Sequence, residues 1–149
     1  MERAIVSIEF ATFSHATEDR EKVLKAVKNI LPENGINDVE FQEEELTGHY
    51  GNPIRIIRTT VSRKDLVDDT VKFFAKHLNS LDKSFLRREM ELQGAKKRDL
   101  YMRLDKQAAY LGKVEILNED PIKIRFKFKL HPKGYKDFLS IYRELGLIE

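Results

Sequence analysis

The segment "IKIRFKFKL" (122–130) alternates strictly between apolar and cationic residues. Side chains of a β-strand point to its two faces in turn, so this pattern predicts a strand with one apolar and one cationic face. One-sided burial of this kind is typical of an antiparallel sheet that is covered on one face and solvated on the other. The rest of the chain must therefore supply a layer that covers only one face of the sheet.

Further strands are predicted from alternation and β-branched content at 4–13, 38–46 and 54–61, and a short one at the end of 95–104. The segments 38–46 and 54–61 are expected to pair as a hairpin. A second hairpin is expected between 113–117 and 122–130, with Asn118 to Pro121 as its turn. Hairpins of this kind give a mostly antiparallel sheet.

Helices are predicted between these strands from capping residues and helical spacing. Thr17 is expected to cap the first helix, Ser62 with Asp65 to open the second, and Asp105 to cap a short helical turn. A third long helix is expected from about Asp82 to Gln93, and a terminal one after Pro132. The resulting order, βαββααβαββα, predicts an α+β fold with helices packed on one face of the sheet, forming one domain over residues 1–149.

The composition narrows the functional class. The 149 residues include no cysteine, which excludes disulfides, thiolate metal sites and cysteine nucleophiles. No apolar stretch approaches the ~18 residues of a membrane span, and the N-terminal sequence has no signal-peptide pattern. We therefore expect a cytoplasmic protein with no membrane partner. The 35% of charged residues is also typical of thermophile proteins.

Charge is distributed unevenly along the chain. Residues 1–75 hold 10 Lys and Arg against 14 Asp and Glu, a net charge of −4, whereas residues 76–149 hold 17 against 11, a net charge of +6. Much of the excess lies on the cationic face of 122–130, where four cations form a row about 20 Å long. The row predicts contact with nucleic-acid phosphates, although a solubilising strand face has a similar pattern. Its members are Lys123, Arg125, Lys127 and Lys129.

A second basic cluster, "GAKKRDLYMRLDK" (94–106), extends this prediction. Lys and Arg contact phosphates, while an exposed tyrosine between them can stack on an unpaired base. Tyr101 could fill that role or pack in the core. The candidate phosphate contacts in this cluster are Lys96, Lys97, Arg98, Arg103 and Lys106.

The stretch "TGHYGNPI" (47–54) lies at the turn of the first predicted hairpin. Gly48 and Gly51 allow positive φ, and the turn would present His49, Tyr50 and Asn52 at its tip. Loops on rigid hairpins are common binding positions, so we expect these three residues to contact a base or a ribose. A packed tyrosine in an ordinary turn is the alternative.

No catalytic or cofactor motif is present. The chain has no phosphate-binding glycine loop, no nucleophile elbow and no paired-histidine metal motif. His15 and His49 are the histidines that could converge, as a metal pair or an acid–base pair. We expect neither enzymatic activity nor a cofactor.

Three stretches resemble an archaeal family of RNA-binding proteins, also described as predicted exosome subunits. They are "FSHATEDREKVLKAV" (13–27), "GHYGNPI" (48–54) and "YMRLDKQAAYLG" (101–112) with the following "DPIKIRFKFKL". The resemblance spans nearly the whole chain. It implies a fold similar to the ribosomal protein that holds 5S RNA and partners among RNA and exosome or ribosomal components.

Together these observations predict a non-catalytic RNA-binding protein in RNA processing or ribosome-linked metabolism. The alternative is a homodimeric interaction or scaffold module with no direct RNA contact. An enzyme that uses His15 and His49 is a third reading.

Overall fold

The computed structural model describes residues 5–48, 50–93, 98–129 and 138–149. Five strands form one sheet in the order β2-β3-β1-β5-β4, and every neighbouring pair is antiparallel. The strands are β1 (Ile5–His15), β2 (Gln42–Thr47), β3 (Pro53–Val61), β4 (Leu100–Leu104) and β5 (Ile122–Phe128). The helices are α1 (Arg20–Asn29), α2 (Lys64–His77), α3 (Ser80–Gln93), α4 (Lys106–Tyr110) and α5 (Phe138–Glu144), and a 3-10 helix spans Glu33–Asp38. The predicted α+β class and antiparallel sheet are confirmed.

One face of the sheet is buried under helices, as the alternation in β5 predicts. Ile124 and Phe126 of β5 and Phe10 of β1 are almost completely buried. The ring of Phe74 on α2 packs 6.4 Å from that of Phe10 and 5.6 Å, edge-on, from that of Phe126. The side chains that alternate with these, such as Glu9 and Ala11 of β1 and Lys123 and Arg125 of β5, lie on the opposite face, which we call the open face.

The prediction of a hairpin between 113–117 and 122–130 is wrong. A strand has two edges, and those of β5 are occupied by β1 and β4. The 113–117 segment lies beside β4 instead, where Ile116 forms an isolated bridge with Leu104 and Leu117 N–H donates to the Arg103 carbonyl at 3.0 Å.

Two helix starts also differ from the prediction. Asp19 caps α1, its carboxylate accepting the Glu21 N–H at 3.0 Å, because the chain first forms a turn at residues 16 and 17. The N-cap of α2 is Arg63, which makes no side-chain capping bond and pairs with Asp65 at 2.7 Å. The predicted cap of α4 is confirmed, since Asp105 accepts from the Gln107 N–H at 3.2 Å.

None of the helices in the described ranges has the length and hydrophobicity needed to cross a lipid bilayer. The predicted start of the terminal helix at Pro132 lies outside the described residues, and α5 is described from Phe138.

Candidate nucleic-acid interface

Antiparallel register aligns residues of four strands across the open face. Arg58 on β3 lies opposite Ala11 on β1, and Ala11 lies opposite Lys123 on β5. Lys123 in turn lies opposite Arg103 on β4. Since neighbouring strands are about 4.8 Å apart, the line is about 15 Å long. We call Arg58, Lys123 and Arg103 the cross-strand row.

The cross-strand row keeps like charges side by side. Lys123 and Arg103 are exposed and directly opposite each other, and neither has an ion pair within the described part of the chain. Like charges placed this way destabilise a sheet by a few tenths to about 1 kcal/mol. Among the described residues, the ion-pair partner of Arg58 is Glu44, at a loose distance of 3.5 Å. A fold that retains this repulsion at its surface offers a site for an anion.

The row predicted along β5 is interrupted at its second member. Arg125 donates from Nε and Nη2 to the Asp99 carboxylate at 2.8 and 2.7 Å, and this hydrogen bonding raises the pKa of Arg125 above its ordinary value. Asp99 also accepts the Phe128 N–H at 2.9 Å, so the carboxylate is held in place. Lys123 remains available on one side of Arg125, and Lys127 and Lys129 follow on the other.

Removing the charge of Asp99 should strengthen anion binding. In Asp99→Asn the amide oxygen still accepts the Phe128 N–H, but Arg125 is freed. One added charge-assisted contact is worth about 1.5 kcal/mol, so RNA should bind roughly 10-fold more tightly. Fluorescence anisotropy with labelled RNA measures this, with Asp68→Asn on the exposed side of α2 as the matched control. Unchanged affinity in Asp99→Asn would contradict the expected role of Arg125.

The members of the second basic cluster have different surroundings. Arg103 joins the cross-strand row, while Arg98 is exposed just before β4 and its carbonyl accepts the Tyr142 hydroxyl at 2.6 Å. The side chain of Lys106 is only 10% exposed, because its ammonium group is bound by carboxylates. We therefore leave Lys106 out of the interface. Lys96 and Lys97 lie outside the described residues.

Tyr101 lies on the open face and not in the core. It is opposite Arg125, is 42% exposed, and has the Arg125 guanidinium carbon 5.5 Å from its ring centre. An exposed ring beside cations is suited to stacking on a base.

The β2–β3 turn presents Tyr50, which is 87% exposed, and the exposed Asn52. Gly51 has φ +81°, as predicted. At Gly48 the space is tight instead, since an added Cβ would lie 2.9 Å from the flexible Ile54 Cδ1 atom and 3.0 Å from the Asn52 carbonyl oxygen. His49 lies outside the described residues. Ile54 and Arg58 are four residues apart on β3, so the tip is about 13 Å or more from the cross-strand row.

A cluster of His15, Glu18 and Asp120 has ligand atoms within 4.8 Å of one another. Its centre holds the Lys106 ammonium group, 3.0 Å from Glu18 and 2.8 Å from Asp120, and Lys106 also donates to the Phe13 carbonyl at 2.8 Å. Partial burial opposes ionisation of Asp120, but hydrogen bonds from Lys106 and His15 outweigh it and lower the Asp120 pKa. A lysine at the centre makes this an ion-pair network and a poor place for a metal cation.

Three open-face residues were missed by sequence reasoning. Arg58, Phe13 and Ile56 join the predicted cations because β1 lies between β3 and β5. Alternation in 54–61 places Ile56 and Arg58 on one face, but it cannot say which strand lies beside them.

The sequence profile of a family described as RNA binding matches residues 7–128. The chain belongs to this RNA-binding family. A Pyrococcus abyssi protein named RNA-binding protein is 34% identical over 140 residues, which cover 93% of this chain and 91% of that protein. A Methanocaldococcus jannaschii protein is 33% identical over 151 residues, covering 94% of this chain and 97% of its own.

Solved structures of archaeal relatives share the fold. A DUF54 protein from Archaeoglobus fulgidus matches with a TM-score of 0.77 and 27% identity, covering 95% of this chain and 99% of that one. A DUF54 protein from Methanothermobacter thermautotrophicus matches with a TM-score of 0.75 and 25% identity, covering 96% and 98%. These matches agree with the α+β architecture of this RNA-binding family member.

Proposed function

We propose that this protein binds RNA through the open face of its sheet, with the cross-strand row at the centre of the interface. The observation that carries the proposal is the opposition of Lys123 and Arg103, two exposed cations without a carboxylate partner among the described residues. Membership of an RNA-binding family supports RNA phosphate as the anion that this site binds.

The interface extends beyond the row in this proposal. Lys127 on β5 and Lys129 just after it continue the interface, and the exposed Arg98 adds a cation just before β4. Lys96 and Lys97 are proposed as further contacts from the sequence alone. Tyr50 and Asn52 at the hairpin tip form a second contact for a longer RNA, and His49 is proposed as a contact from the sequence alone. Phosphate contacts would supply most of the affinity and base contacts the selectivity.

We further propose that residues 1–149 act as one RNA-binding domain without catalysis of its own. We also propose that it acts in the cytoplasm in RNA processing, with exosome or ribosomal components as partners; the resemblance to predicted exosome subunits supports this role. Purified protein should accordingly leave RNA intact with or without added divalent metal. Sequencing the RNA that copurifies with a tagged protein from its own cells would identify the target.

The observation that supports the homodimer alternative is the exposed outer edge of β2. An unpaired strand edge can pair with a second chain. Self-pairing of this edge would, however, bring together Glu44 and Glu45 from two copies. Their arginine partners lie at 3.5 and 3.8 Å and compensate these charges only loosely, so facing like charges disfavour that contact. We therefore favour RNA over a second copy as the partner.

The proposed function is tested by measuring RNA affinity against salt concentration. The three cations of the cross-strand row alone predict a log–log slope of about −2 for a single strand, which means roughly 20-fold weaker binding when salt rises from about 50 to 200 mM, and each further phosphate contact makes the slope steeper by about 0.7. Fluorescence anisotropy with a labelled RNA of mixed sequence gives this slope. Absence of binding at low salt, or an affinity that does not change with salt, would contradict the proposal.

A further inference from the structure

Two hollows open on the sheet face, one on each side of the line through Ala11. The first, which we call the Phe13 hollow, has a volume of about 510 Å³ and is lined by Phe13, Ile56, Arg103, Asn118 and Pro121 among others. The second, the Tyr101 hollow, has a volume of about 280 Å³ and is lined by Glu9, Thr60, Tyr101 and Arg125 among others. Ala11, Arg58 and Lys123 line both hollows, so a small side chain between two cations separates them.

The Phe13 hollow combines apolar walls with a cationic rim. Phe13 is 37% exposed although it lies on the central strand, and Ile56 is directly opposite it. Pro121 provides a third apolar wall. At the rim, the amide of Asn118 can both donate and accept hydrogen bonds, as recognition of a base edge requires. Small-ligand sites of this size typically have apolar walls and a few polar groups.

One wall of the Phe13 hollow is fixed by hydrogen bonds. The Thr12 hydroxyl donates to the Pro121 carbonyl at 3.2 Å, and Asp120 is held by Lys106 and by His15 at 2.9 Å. Two partners therefore compensate the negative charge of Asp120, which would otherwise repel a phosphate.

The Tyr101 hollow offers a different flat surface. Arg125 lies directly opposite Tyr101 with its guanidinium carbon 5.5 Å from the ring centre, so a phenol ring and a guanidinium plane lie close together. Both groups stack on unpaired bases.

We propose that the open face binds single-stranded RNA, with one base in the Phe13 hollow, another on Tyr101, and the connecting phosphates on Arg58 and Lys123. This rests on the RNA-binding function proposed above and specifies its ligand. Tyr101 is aligned through Arg125 with Glu9 on β1, two strands away, and Phe13 lies four residues further along β1. The distance from Phe13 to Tyr101 is therefore about 16 Å. Stacked neighbours in a duplex are 3.4 Å apart, so bases in the two hollows are unstacked from each other.

A duplex would use this face poorly. Its bases are paired and stacked inside the helix, so the exposed rings of Phe13 and Tyr101 would contact nothing they can stack on. Only the cross-strand row would be engaged, and the binding would be weaker and purely electrostatic.

The test compares a labelled 12-nucleotide RNA with the same strand annealed to its complement, by fluorescence anisotropy at constant salt. Wild-type protein should bind the single strand at least 10-fold more tightly. Ala11→Leu adds bulk between the two hollows and removes no charge, so it should weaken single-strand binding five- to 150-fold and weaken duplex binding much less. Ala16→Leu, an equal change at an exposed turn position beyond β1, should bind like wild type.

The outcomes separate this inference from the proposed function. Equal affinity of the wild type for single strand and duplex, or normal single-strand binding by Ala11→Leu, would overturn the inference while RNA binding itself stands. No binding of either RNA would overturn both. If circular dichroism shows that Ala11→Leu is unfolded, single-strand affinity is measured with Phe13→Leu instead. This variant keeps apolar bulk but has no flat ring. Weaker single-strand binding by that variant supports the inference, and wild-type binding overturns it.

Discussion

Reversing the charges of Lys123 and Arg103 together should weaken RNA binding roughly 150-fold. Hydrogen bonds to charged groups contribute about 1.5 kcal/mol or more each, so two lost contacts cost about 3 kcal/mol in binding free energy. The fold should survive, because Lys123→Glu with Arg103→Glu replaces one exposed like-charge pair by another. Anisotropy titration measures the affinity, and thermal melting checks the fold.

A matched control exists on the helical side of the molecule. Lys72 and Lys76 are exposed like charges one turn apart on α2, and Lys72→Glu with Lys76→Glu gives the same net charge change. If both double variants lose RNA affinity equally, binding follows net charge, and the cross-strand row is not the interface.

Arg103→Glu alone separates binding from stability. It places an acid opposite Lys123, so it should stabilise the sheet by a few tenths to about 1 kcal/mol while it weakens RNA binding. Such an opposite effect is expected of a functional site, where a change that raises the free energy of unfolding lowers the affinity for the ligand. A variant that is both less stable and a weaker binder would show that Arg103 has a structural role.

Replacing Lys106 by methionine should destabilise the protein by about 2–3 kcal/mol. Removing one partner of a buried ion pair costs about 3–5 kcal/mol, and we reduce this value because Glu18 and Asp120 keep 30% and 45% side-chain exposure. Methionine retains the apolar stem, so the loss reports on the ammonium group. Urea denaturation at neutral pH measures the change, with Lys113→Met at an exposed neighbouring position as the control.

The effect of Lys106→Met should depend on pH. The lowered pKa of Asp120 means that its stabilising contribution is present above its ordinary pKa of 3.8 and is lost as pH falls through the lower folded-state value. The difference in unfolding free energy between wild type and Lys106→Met should therefore shrink as pH falls below 3.8. A difference independent of pH would mean that Asp120 is not the partner that matters.

Local sequence pattern predicted those parts of the fold that depend on neighbouring residues. The alternation of 122–130 placed Lys123 on the solvated face and Phe126 in the core, because successive side chains of a strand point to opposite faces. The hairpin of β2 and β3 and the Asp105 cap were also predicted from residues that are close in sequence.

The pairing of strands could not be predicted in this way. Expecting 113–117 to pair with 122–130 assumed that sequence neighbours pair, whereas β1 and β4 occupy both edges of β5. The partner of Arg125 was likewise unpredictable, because Asp99 comes within 2.7 Å of it only through the pairing of β4 with β5.

The sequence by itself determined that one face of a sheet carries cations, because alternation along a single strand is a local property. Only the tertiary structure decided which cations form the interface. Arg58, Lys123 and Arg103 come from three strands, and register between those strands aligns them across the sheet at a spacing of about 4.8 Å between neighbouring strands. Register depends on burying the opposite faces of all strands together, and no single segment contains that information.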